Sequence, residues 1–300
     1  MLSILIPIFN HSAVALIKEL LTQAESINET IEIICCDDNS TNAKIKKENS
    51  SFLDTQNITF ITNTKNIGRT KTRQTLAEAA NYDWLLFLDA DVMPSHSFFI
   101  KTYLKLSDQN YTCIYGGLSY SKKKPSKEFY FRWLYGHERE DISVKKRQQK
   151  PYKSIASGNL LIRKKIFLSI NKNILNNWYG YDNYFSTQLK TKCESIKHIN
   201  NKVIHLGLET NSIFLQKQEF ATHTIYKLYN NNSFSNTEDN GLLKTYLKIK
   251  HYKLTKAYSY FYSYFKPHLR ANLLSENPKL FCLDLYRLGY FCQLTQQKNA

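Results

Sequence analysis

The chain has 300 residues, 42% hydrophobic and 22% charged, as is ordinary for a globular protein that buries one large core or two smaller ones. Its net charge of +16 is high. Such a charge favours nucleic acid, anionic lipid or phosphorylated ligands, unless it serves solubility alone. The six cysteines show no C-x-x-C spacing. They therefore indicate neither a zinc site nor a disulfide framework, and we expect a reducing compartment.

The first third of the chain alternates strand and helix signals. The apolar run from Leu2 to Ile8 predicts a strand buried on both faces, and without a basic segment before it the run does not resemble a signal peptide. Ser12 is the expected cap of the first helix. Further strands are predicted at 31–36, 58–61 and 83–88, with helices at 43–50 and 69–80. This alternation predicts a parallel, doubly wound sheet, in which ligands bind beyond the carboxyl ends of the strands.

Polar side chains follow each of these strands, and two pairs of aspartates stand out among them. The set comprises Asn10, Asp37, Asp38, Asn63, Asn66, Asp89 and Asp91. One explanation of Asp89 and Asp91 is structural, with Asp91 capping a helix that begins near Pro94. The other is a divalent ion, Mg²⁺ or Mn²⁺, bound by carboxylates and by a diphosphate. No G-x-G-x-x-G or G-x-x-x-x-G-K-[ST] motif is present, so phosphates need another means of binding.

The remainder of the chain divides into a less regular middle and a basic tail. A strand running into a helix is predicted at 154–167, a helix at 182–190, and a short strand ending at His205 within 201–209. The predicted organisation is a domain at 1–229, a linker at 230–241 and a helical extension at 242–300. A helix within the extension is expected to use Asn277 as its cap and Pro278 in its first turn.

The extension begins with seven basic residues and no acidic residue between 241 and 270. We favour an amphipathic helical segment that packs on the domain at 1–229. The alternatives are peripheral contact with an anionic membrane and, ranked last because no recognised module is present, nucleic acid. No apolar run reaches the length needed to span a bilayer.

Five ordered blocks within about residues 1–210 resemble family 2 glycosyltransferases of the GT-A fold. They are "SILIPIFN", "IEIICCDDNS", "NIGRTKTRQTLAEAANYDWLLFLDAD", "SIASGNLLIRKKIF" and "GYDNYF". The resemblance implies a Rossmann-like, mostly parallel α/β sheet flanked by helices. It also implies an inverting transferase that uses a nucleotide-sugar donor and Mn²⁺ or Mg²⁺. UDP is the expected nucleotide by family frequency.

The resemblance assigns roles to individual positions. Nucleotide-binding residues would be Pro7, Phe9, Asn10, Asp38, Asn66, Arg73 and Asp89. Metal ligands would be Asp91 and His205, and Asp182 would be the general base, although a plain helix-capping role for it is the alternative. Donor or acceptor contacts would be Gly158, Asn159, Trp178 and Tyr181. Two departures from the family pattern concern Tyr181, where a glutamate is usual, and the block Thr72-Arg73-Gln74, which usually reads alanine-arginine-asparagine.

The expected acceptor is a glycan or a lipid-linked glycan, in the synthesis of a surface polysaccharide or glycoconjugate. The expected location is the cytoplasm, including the inner face of the cytoplasmic membrane. The competing hypothesis is a non-catalytic relative of the same fold that binds a nucleotide or a glycan.

Overall fold

The structure is a computed structural model that describes residues 1–53, 55–107, 109–153, 155–171, 179–193, 195–231, 233 and 240–297. The chain forms two compact units. The first comprises Met1–Ser121, Glu140–Asn177 and Leu189–Gly207, and the second comprises Lys122–Arg139, Trp178–Gln188 and Leu208–Ala300. The domain boundaries expected from the sequence stay a prediction, and residues 232 and 234–239 of the expected linker lie outside the described residues.

A seven-stranded sheet forms the centre of the first unit. In spatial order its strands are β3 (Ile58–Thr62), β2 (Ile31–Asp37), β1 (Leu2–Ile8), β4 (Trp84–Leu88), β8 (Asn159–Arg163), β6 (Cys113–Tyr115) and β9 (Ile196–His198). The first four are parallel to one another, whereas β8 is antiparallel to both of its neighbours. The predicted parallel arrangement is therefore present, and its strands are apolar because helices cover both faces of such a sheet.

A second, three-stranded sheet lies in the same unit. Its order is β5 (Val92–Pro94), β10 (Val203–His205) and β7 (Leu118–Tyr120). β10 is antiparallel to β5 and pairs His205 with Val92. Because a strand follows Asp91, the expectation that Asp91 caps a helix near Pro94 is wrong.

The helices of the first unit are α1 (Val14–Glu25), α2 (Ala43–Asn49), α3 (Arg69–Ala79), α4 (Phe99–Ser107), α6 (Val144–Gln149) and α7 (Lys164–Asn171). α1, α3, α4 and α7 bury apolar side chains, whereas the buried residues of α2 and α6 are Asn49 and Arg147. α1 begins at Val14 without a side-chain cap, so the predicted Ser12 cap is wrong. The amide of Ala13 instead donates to Asn49 Oδ1 at 2.9 Å, a long-range contact that no local pattern reveals.

The second unit is helical. It contains α5 (Tyr130–Tyr135), the start of α8 (Asp182–Lys192), α9 (Asn211–Asn230), α10 (Gly241–His251), α11 (Thr255–Leu273) and α12 (Leu280–Gln297). α12 begins after the expected Asn277 cap, and the amide of Lys279 donates to Asn272 Oδ1 instead. α11 packs on α12 through Tyr262, whose ring lies 5.4 Å from that of Tyr286. Within the described part of the chain, none of the helices has the length and apolarity needed to cross a bilayer.

Candidate functional site

The predicted polar residues of the first unit meet at one edge of the large sheet. β1, β2 and β4 are parallel neighbours, with Ile8 in register with Asp37 and Leu5 in register with Phe87. The segments that follow these strands therefore emerge on the same side, at the carboxyl edge where α/β sheets bind ligands. The sequence-based expectation of a shared acidic edge is met for this unit.

Asp89 is paired with an arginine from the neighbouring helix. Arg73 is buried on α3, and its Nη2 donates to Asp89 Oδ1 at 2.5 Å. Burial raises the pKa of Asp89, but the charges of Arg73 and Arg69 outweigh that effect, and the pKa lies below its usual value. Asp89 is therefore held as a carboxylate.

Asp91 has a different environment, although only one residue separates it from Asp89. Its Oδ2 lies 3.5 Å from Nε2 of His205, and its main-chain oxygen accepts a 2.8 Å hydrogen bond from Leu206 N. Burial and the nearby Asp89 charge raise the pKa of Asp91, and His205 and His11 oppose this only in part. A cation beside Asp91 would remove this penalty.

His205 belongs to the same cluster and is oriented by its strand. Its ring lies 5.5 Å from that of Tyr120, a residue of the adjoining strand β7. Its Nδ1 is buried and has no hydrogen-bond partner among the described residues. Since buried polar nitrogens normally have a partner, this ring has unused binding capacity.

Two glycines lie directly over the aspartates. A Cβ added at Gly158 would lie 2.5 Å from Asp89 Oδ2, and one added at Gly207 would overlap Asp91 Oδ2. Larger residues at either position would displace a carboxylate. Gly158 was predicted as a site residue, whereas sequence reasoning missed Gly207. The signal for Gly207 is its position two residues after His205, where a strand end meets the predicted metal ligands.

Asp91 and His205 fit a divalent ion in number and in kind. Mn²⁺ accepts carboxylate oxygen and imidazole nitrogen, and Mg²⁺ or Mn²⁺ commonly uses few protein ligands when phosphate oxygens complete its shell. Within the described ranges, no three His, Cys, Asp or Glu side chains form a complete ligand set. The cluster therefore suits an ion shared with a phosphorylated ligand rather than a closed structural site.

Asp38 makes hydrogen bonds to the protein that organise the loop before α3. Its carboxylate accepts from Asn63 Nδ2 at 2.9 Å, Ile67 N at 2.8 Å and Gly68 N at 2.7 Å. Gly68 has a φ of 83°, which favours glycine. The structure thus gives Asp38 a loop-positioning role, and its predicted contact with a nucleobase stays a prediction.

The remaining predicted nucleotide residues divide into exposed and structural ones. Phe9 and Asn66 are exposed, and Pro7 is half-buried on β1. Asn10 has a φ of 50°, and its Oδ1 accepts from Thr41 N at 2.8 Å, which joins the turns after β1 and β2. These residues flank the carboxyl edge of the parallel strands.

Asn159 is held inside the core. Its Nδ2 donates at 2.8 Å to the carbonyl oxygens of both Gly117 and Asn201, and its Oδ1 accepts from Tyr103 Oη at 2.6 Å. The side chain is fully buried and holds the start of β8, and its predicted contact with the donor or acceptor stays a prediction.

The predicted base lies in the second unit. Asp182 is the first residue of α8, where the helix N-terminus favours a carboxylate. The preceding Tyr181 lies with its ring 4.9 Å from that of Tyr184, and burial raises its pKa to about 12. Gly180 has a φ of 87° and packs against Ala221. The predicted contact Trp178 lies outside the described residues.

Comparison with known sequences identifies a family. The family model described as "Glycosyl transferase family 2" matches residues 3–170. An uncharacterized glycosyltransferase of Haemophilus influenzae is 39% identical over 92 residues, which are 30% of this chain and 29% of that protein. The matched region thus spans less than a third of the length of that relative.

Solved structures resemble the fold at low sequence identity. TarS 1–349 of S. aureus in complex with UDP-GlcNAc aligns with a TM-score of 0.52 at 12% identity, covering 99% of this chain and 92% of that chain. The mannosyltransferase PcManGT from Pyrobaculum calidifontis, in complex with GDP-Man and Mn²⁺, has a TM-score of 0.51 at 11% identity, covering 76% and 64%.

Glucosyl-3-phosphoglycerate synthase from Mycobacterium tuberculosis, in complex with Mn²⁺, UDP and glucosyl-3-phosphoglycerate, has a TM-score of 0.50 at 12% identity, covering 75% and 78%. At such identities these likenesses concern the fold alone. They confirm the predicted mostly parallel α/β architecture with helices at the carboxyl-terminal end of the chain.

Proposed function

The chain belongs to glycosyl transferase family 2, and on that premise we propose a metal-dependent enzyme that transfers a sugar from a nucleoside diphosphate donor to a hydroxyl acceptor with inversion. Membership of the family bears out the glycosyltransferase prediction at the level of the family. The donor, the metal, the stereochemistry and the acceptor belong to the proposal.

The observation that carries the proposal is the unequal pair of aspartates at the carboxyl edge of β4. Arg73 neutralises Asp89, whereas Asp91 faces His205. Gly207 lies over Asp91 Oδ2 and has no side chain that would displace this oxygen. A half-buried carboxylate with a raised pKa, next to an imidazole whose other nitrogen, Nδ1, is buried without a partner among the described residues, is a costly arrangement for stability alone. It is useful where a cation and a phosphorylated ligand bind.

The proposed roles follow this geometry. Asp91 and His205 would hold Mn²⁺ or Mg²⁺, which when bound would supply positive charge beside the diphosphate leaving group. Asp89 would orient the ribose from the position that Arg73 fixes. Pro7, Phe9, Asn10, Asp38, Asn66 and Arg73 would contact or position the nucleotide, and Gly158 would leave room for the donor sugar.

The proposed reaction is a single displacement at the anomeric carbon. The acceptor oxygen forms a bond to that carbon as the bond to the diphosphate oxygen breaks, and the electron pair leaves with the diphosphate. Asp182 accepts the proton of the acceptor hydroxyl, a role worth roughly 10²–10⁴-fold in rate. Attack from the face opposite the leaving group inverts the configuration.

The proposed donor is a UDP-sugar, because two of the three structures described above hold a uridine nucleotide, although PcManGT holds GDP-Man. The proposed acceptor is a glycan or a lipid-linked glycan in surface polysaccharide or glycoconjugate synthesis on the cytoplasmic side of the membrane.

Calorimetry with UDP, in the presence of Mn²⁺ or EDTA, tests the binding part of the proposal. We expect UDP to bind with Mn²⁺, and we expect binding to weaken at least tenfold in EDTA or after Asp91→Ala. Asp83→Asn is the matched control, because Asp83 precedes β4 and pairs with Arg163 in an exposed position. Equal affinity in Mn²⁺ and EDTA would overturn the metal assignment.

Turnover of nucleotide sugars tests the catalytic part. A screen of UDP-, GDP- and dTDP-sugars with Mn²⁺ should show donor hydrolysis or transfer that Asp182→Asn reduces about 10²-fold or more while UDP affinity is unchanged. Asp284→Asn, which removes an exposed carboxylate paired with Arg139, is the control for the second unit. UDP binding without turnover of any donor would favour the non-catalytic relative instead.

A further inference from the structure

Two helices of the second unit expose an uncommon combination of aromatic and basic side chains. They are α10 and α11 with the turn between them, and we call residues 241–270 the basic aromatic hairpin. Nothing in the proposed transfer reaction uses these residues. The surface therefore calls for a separate explanation.

The inner side of α11 is occupied by the core of the unit. Tyr262, Leu269 and Leu273 are buried in one cluster with Leu283 and Tyr286 of α12. The ring of Tyr262 lies directly over Gly289, where an added Cβ would overlap it. This packing fixes which side of α11 faces outward.

The outer side of α11 is aromatic. Tyr260 is 79% exposed and Tyr264 is 73% exposed, and Phe261, Phe265 and His268 lie beside them. Side chains four residues apart lie on one face of a helix, so these residues form a continuous stripe. The rings of Phe261 and Phe265 pack together with their centroids 4.5 Å apart and their planes tilted by 37°. So many large aromatic side chains on one exposed face indicate an interaction surface, whereas single exposed apolar residues need no explanation.

The turn between the helices also exposes aromatic, aliphatic and basic side chains. Tyr252 is 70% exposed, Leu254 is 53% exposed, and Lys253 between them has a φ of 58°. A left-handed residue at this point ends α10 and projects the two apolar neighbours outward. Lys256 follows in the first turn of α11 and is also exposed.

The charge of the hairpin has one sign. Residues 241–270 contain seven basic residues, Lys244, Lys248, Lys250, Lys253, Lys256, Lys266 and Arg270, and no aspartate or glutamate. On α11, Lys256 and Arg270 lie on the opposite flank of the exposed surface from Phe261 and Phe265, as the spacing of about 3.6 residues per turn requires. The aromatic stripe is thus bordered by positive charge.

From this surface we propose that the basic aromatic hairpin is a docking site for an anionic lipid bilayer. Basic side chains at a membrane surface bind anionic headgroups, and Tyr, Phe and Leu insert at the boundary between headgroups and acyl chains. The tip residues Tyr252 and Leu254 enter this boundary first, and Lys253 and Lys256 meet the headgroups beside them.

Two other occupants fit the surface less well. A second copy of this chain would bring two all-positive surfaces together, because a twofold contact places each patch against itself. For single-stranded nucleic acid, the rings of Phe261 and Phe265 already pack against each other, and Leu254 at the tip offers no ring on which a base could stack. Both occupants are outcomes of the test below.

Flotation of the full-length protein with vesicles tests the proposal. We expect binding to vesicles of phosphatidylcholine mixed with phosphatidylglycerol, weaker binding at high salt, and little binding to phosphatidylcholine alone. Lys253→Glu/Lys256→Glu should weaken binding roughly thirtyfold or more, since each basic residue near an anionic surface contributes about 1 kcal/mol. Lys145→Glu/Lys146→Glu is the control, with the same change of charge at exposed positions of α6.

A second pair of variants tests the aromatic part. Tyr260→Ser/Tyr264→Ser should weaken vesicle binding about tenfold or more, whereas Phe98→Ser/Phe220→Ser, which removes two aromatic side chains 60% and 52% exposed elsewhere, should not. All of these positions are exposed, and unchanged circular dichroism and UDP affinity measured without vesicles would show that the fold and the nucleotide site are intact.

Three results would overturn the proposal. One is equal binding of the hairpin variants and their controls to the anionic vesicles. The second is binding to poly(U) with none to either vesicle. The third is concentration-dependent dimerisation, seen by light scattering, that the hairpin substitutions abolish in a protein that does not float. None of these depends on whether the protein transfers a sugar.

Discussion

Asp89 and Asp91 show how much of a carboxylate's chemistry depends on neighbours that are distant in sequence. Arg73 and Arg69 lower the pKa of Asp89 against the effect of burial, whereas burial raises the pKa of Asp91. The D-x-D spacing alone indicates a site where negative charge has a role. Which aspartate is already neutralised depends on the register between α3 and β4, and that is a property of the fold.

Removing Arg73 is expected to destabilise the protein in a pH-dependent way. In Arg73→Met, Asp89 loses its partner while Arg69 remains, so its pKa rises and the stability that the variant loses grows as pH rises. Because Asp89 is partly exposed, we expect a loss of roughly 1–3 kcal/mol at pH 7 and a smaller loss near pH 4. Urea denaturation at both pH values measures this difference.

The control for this prediction is the double variant Arg73→Met/Asp89→Asn. A neutral amide needs no counter-charge, so the pH dependence that Arg73→Met introduces should disappear in the double variant. A stability loss of equal size at pH 4 and pH 7 in Arg73→Met would show that packing, and not charge, explains the effect.

Gly207 provides a second test at the same scale. Gly207→Ala places a methyl group against Asp91 Oδ2 and displaces the carboxylate. We expect Mn²⁺-dependent affinity for UDP to fall about tenfold or more, by calorimetry, with stability changed by about 1 kcal/mol or less. Gly241→Ala is the control, because nothing lies within 4 Å of the added Cβ there. Unchanged UDP affinity in Gly207→Ala would remove Asp91 from the site.

Among the elements, those of the first third of the chain were the most predictable. β1 and its parallel neighbours are continuous apolar runs, and their predicted bounds agree with the structure within one residue. β8 was harder to predict, because it lies between β4 and β6 and is antiparallel to both, and its pairing with β4 joins residues more than seventy positions apart. Local periodicity carries no information about which distant strand fills that position, and it therefore could not show that Asn159 is buried in the core.

Arg147 on α6 is buried, although it follows Lys145 and Lys146 in a run of basic residues of the kind that usually lies at the surface. Its guanidinium donates to the carbonyl oxygens of Ile142, Tyr115, Gly116 and Ile199, and to Nδ1 of His198. Burial lowers the pKa of His198 to about 4, which keeps the ring neutral and able to accept this bond. The adjacent lysines are exposed, and a pattern of basic residues cannot show which one turns inward.

Arg147→Met is expected to destabilise the first unit strongly. The substitution removes this donor from four carbonyl oxygens. Those of Tyr115 and Gly116 keep the amides of Ile199 and Asn201 as donors, whereas those of Ile142 and Ile199 lose the guanidinium, at a cost of about 1–3 kcal/mol each before relaxation. We expect a total loss of about 3 kcal/mol or more in urea denaturation. Lys146→Met, on the same helix but exposed, should change stability by less than about 0.5 kcal/mol. Similar stabilities for the two variants would mean that water replaces the guanidinium without cost.

For the whole molecule, the family match and the two compact units cover different parts of the chain. The family model ends at residue 170, so His205 and Asp182 lie beyond it, and so does the entire basic aromatic hairpin. The amino-acid composition gives the net charge of +16, but only the structure shows that part of this charge lies beside an aromatic surface on α11. The nucleotide site and the hairpin are therefore separate hypotheses, and each can fail without the other.

Ligand-linked stability tests the nucleotide site in the intact chain. A ligand that binds only the folded protein stabilises it by about 2.7 kcal/mol at one hundred times its Kd. For a chain of this size we expect UDP with Mn²⁺ to raise the Tm by several degrees, since about 1 kcal/mol corresponds to roughly 2–4 °C. UDP in EDTA, and UDP with Mn²⁺ added to Asp91→Ala, should give little or no shift. The Asp83→Asn control should shift as the wild type does. A full shift in EDTA would mean that the nucleotide binds without a metal, through Arg73 and the loop before α3, and that Asp91 and His205 have another role.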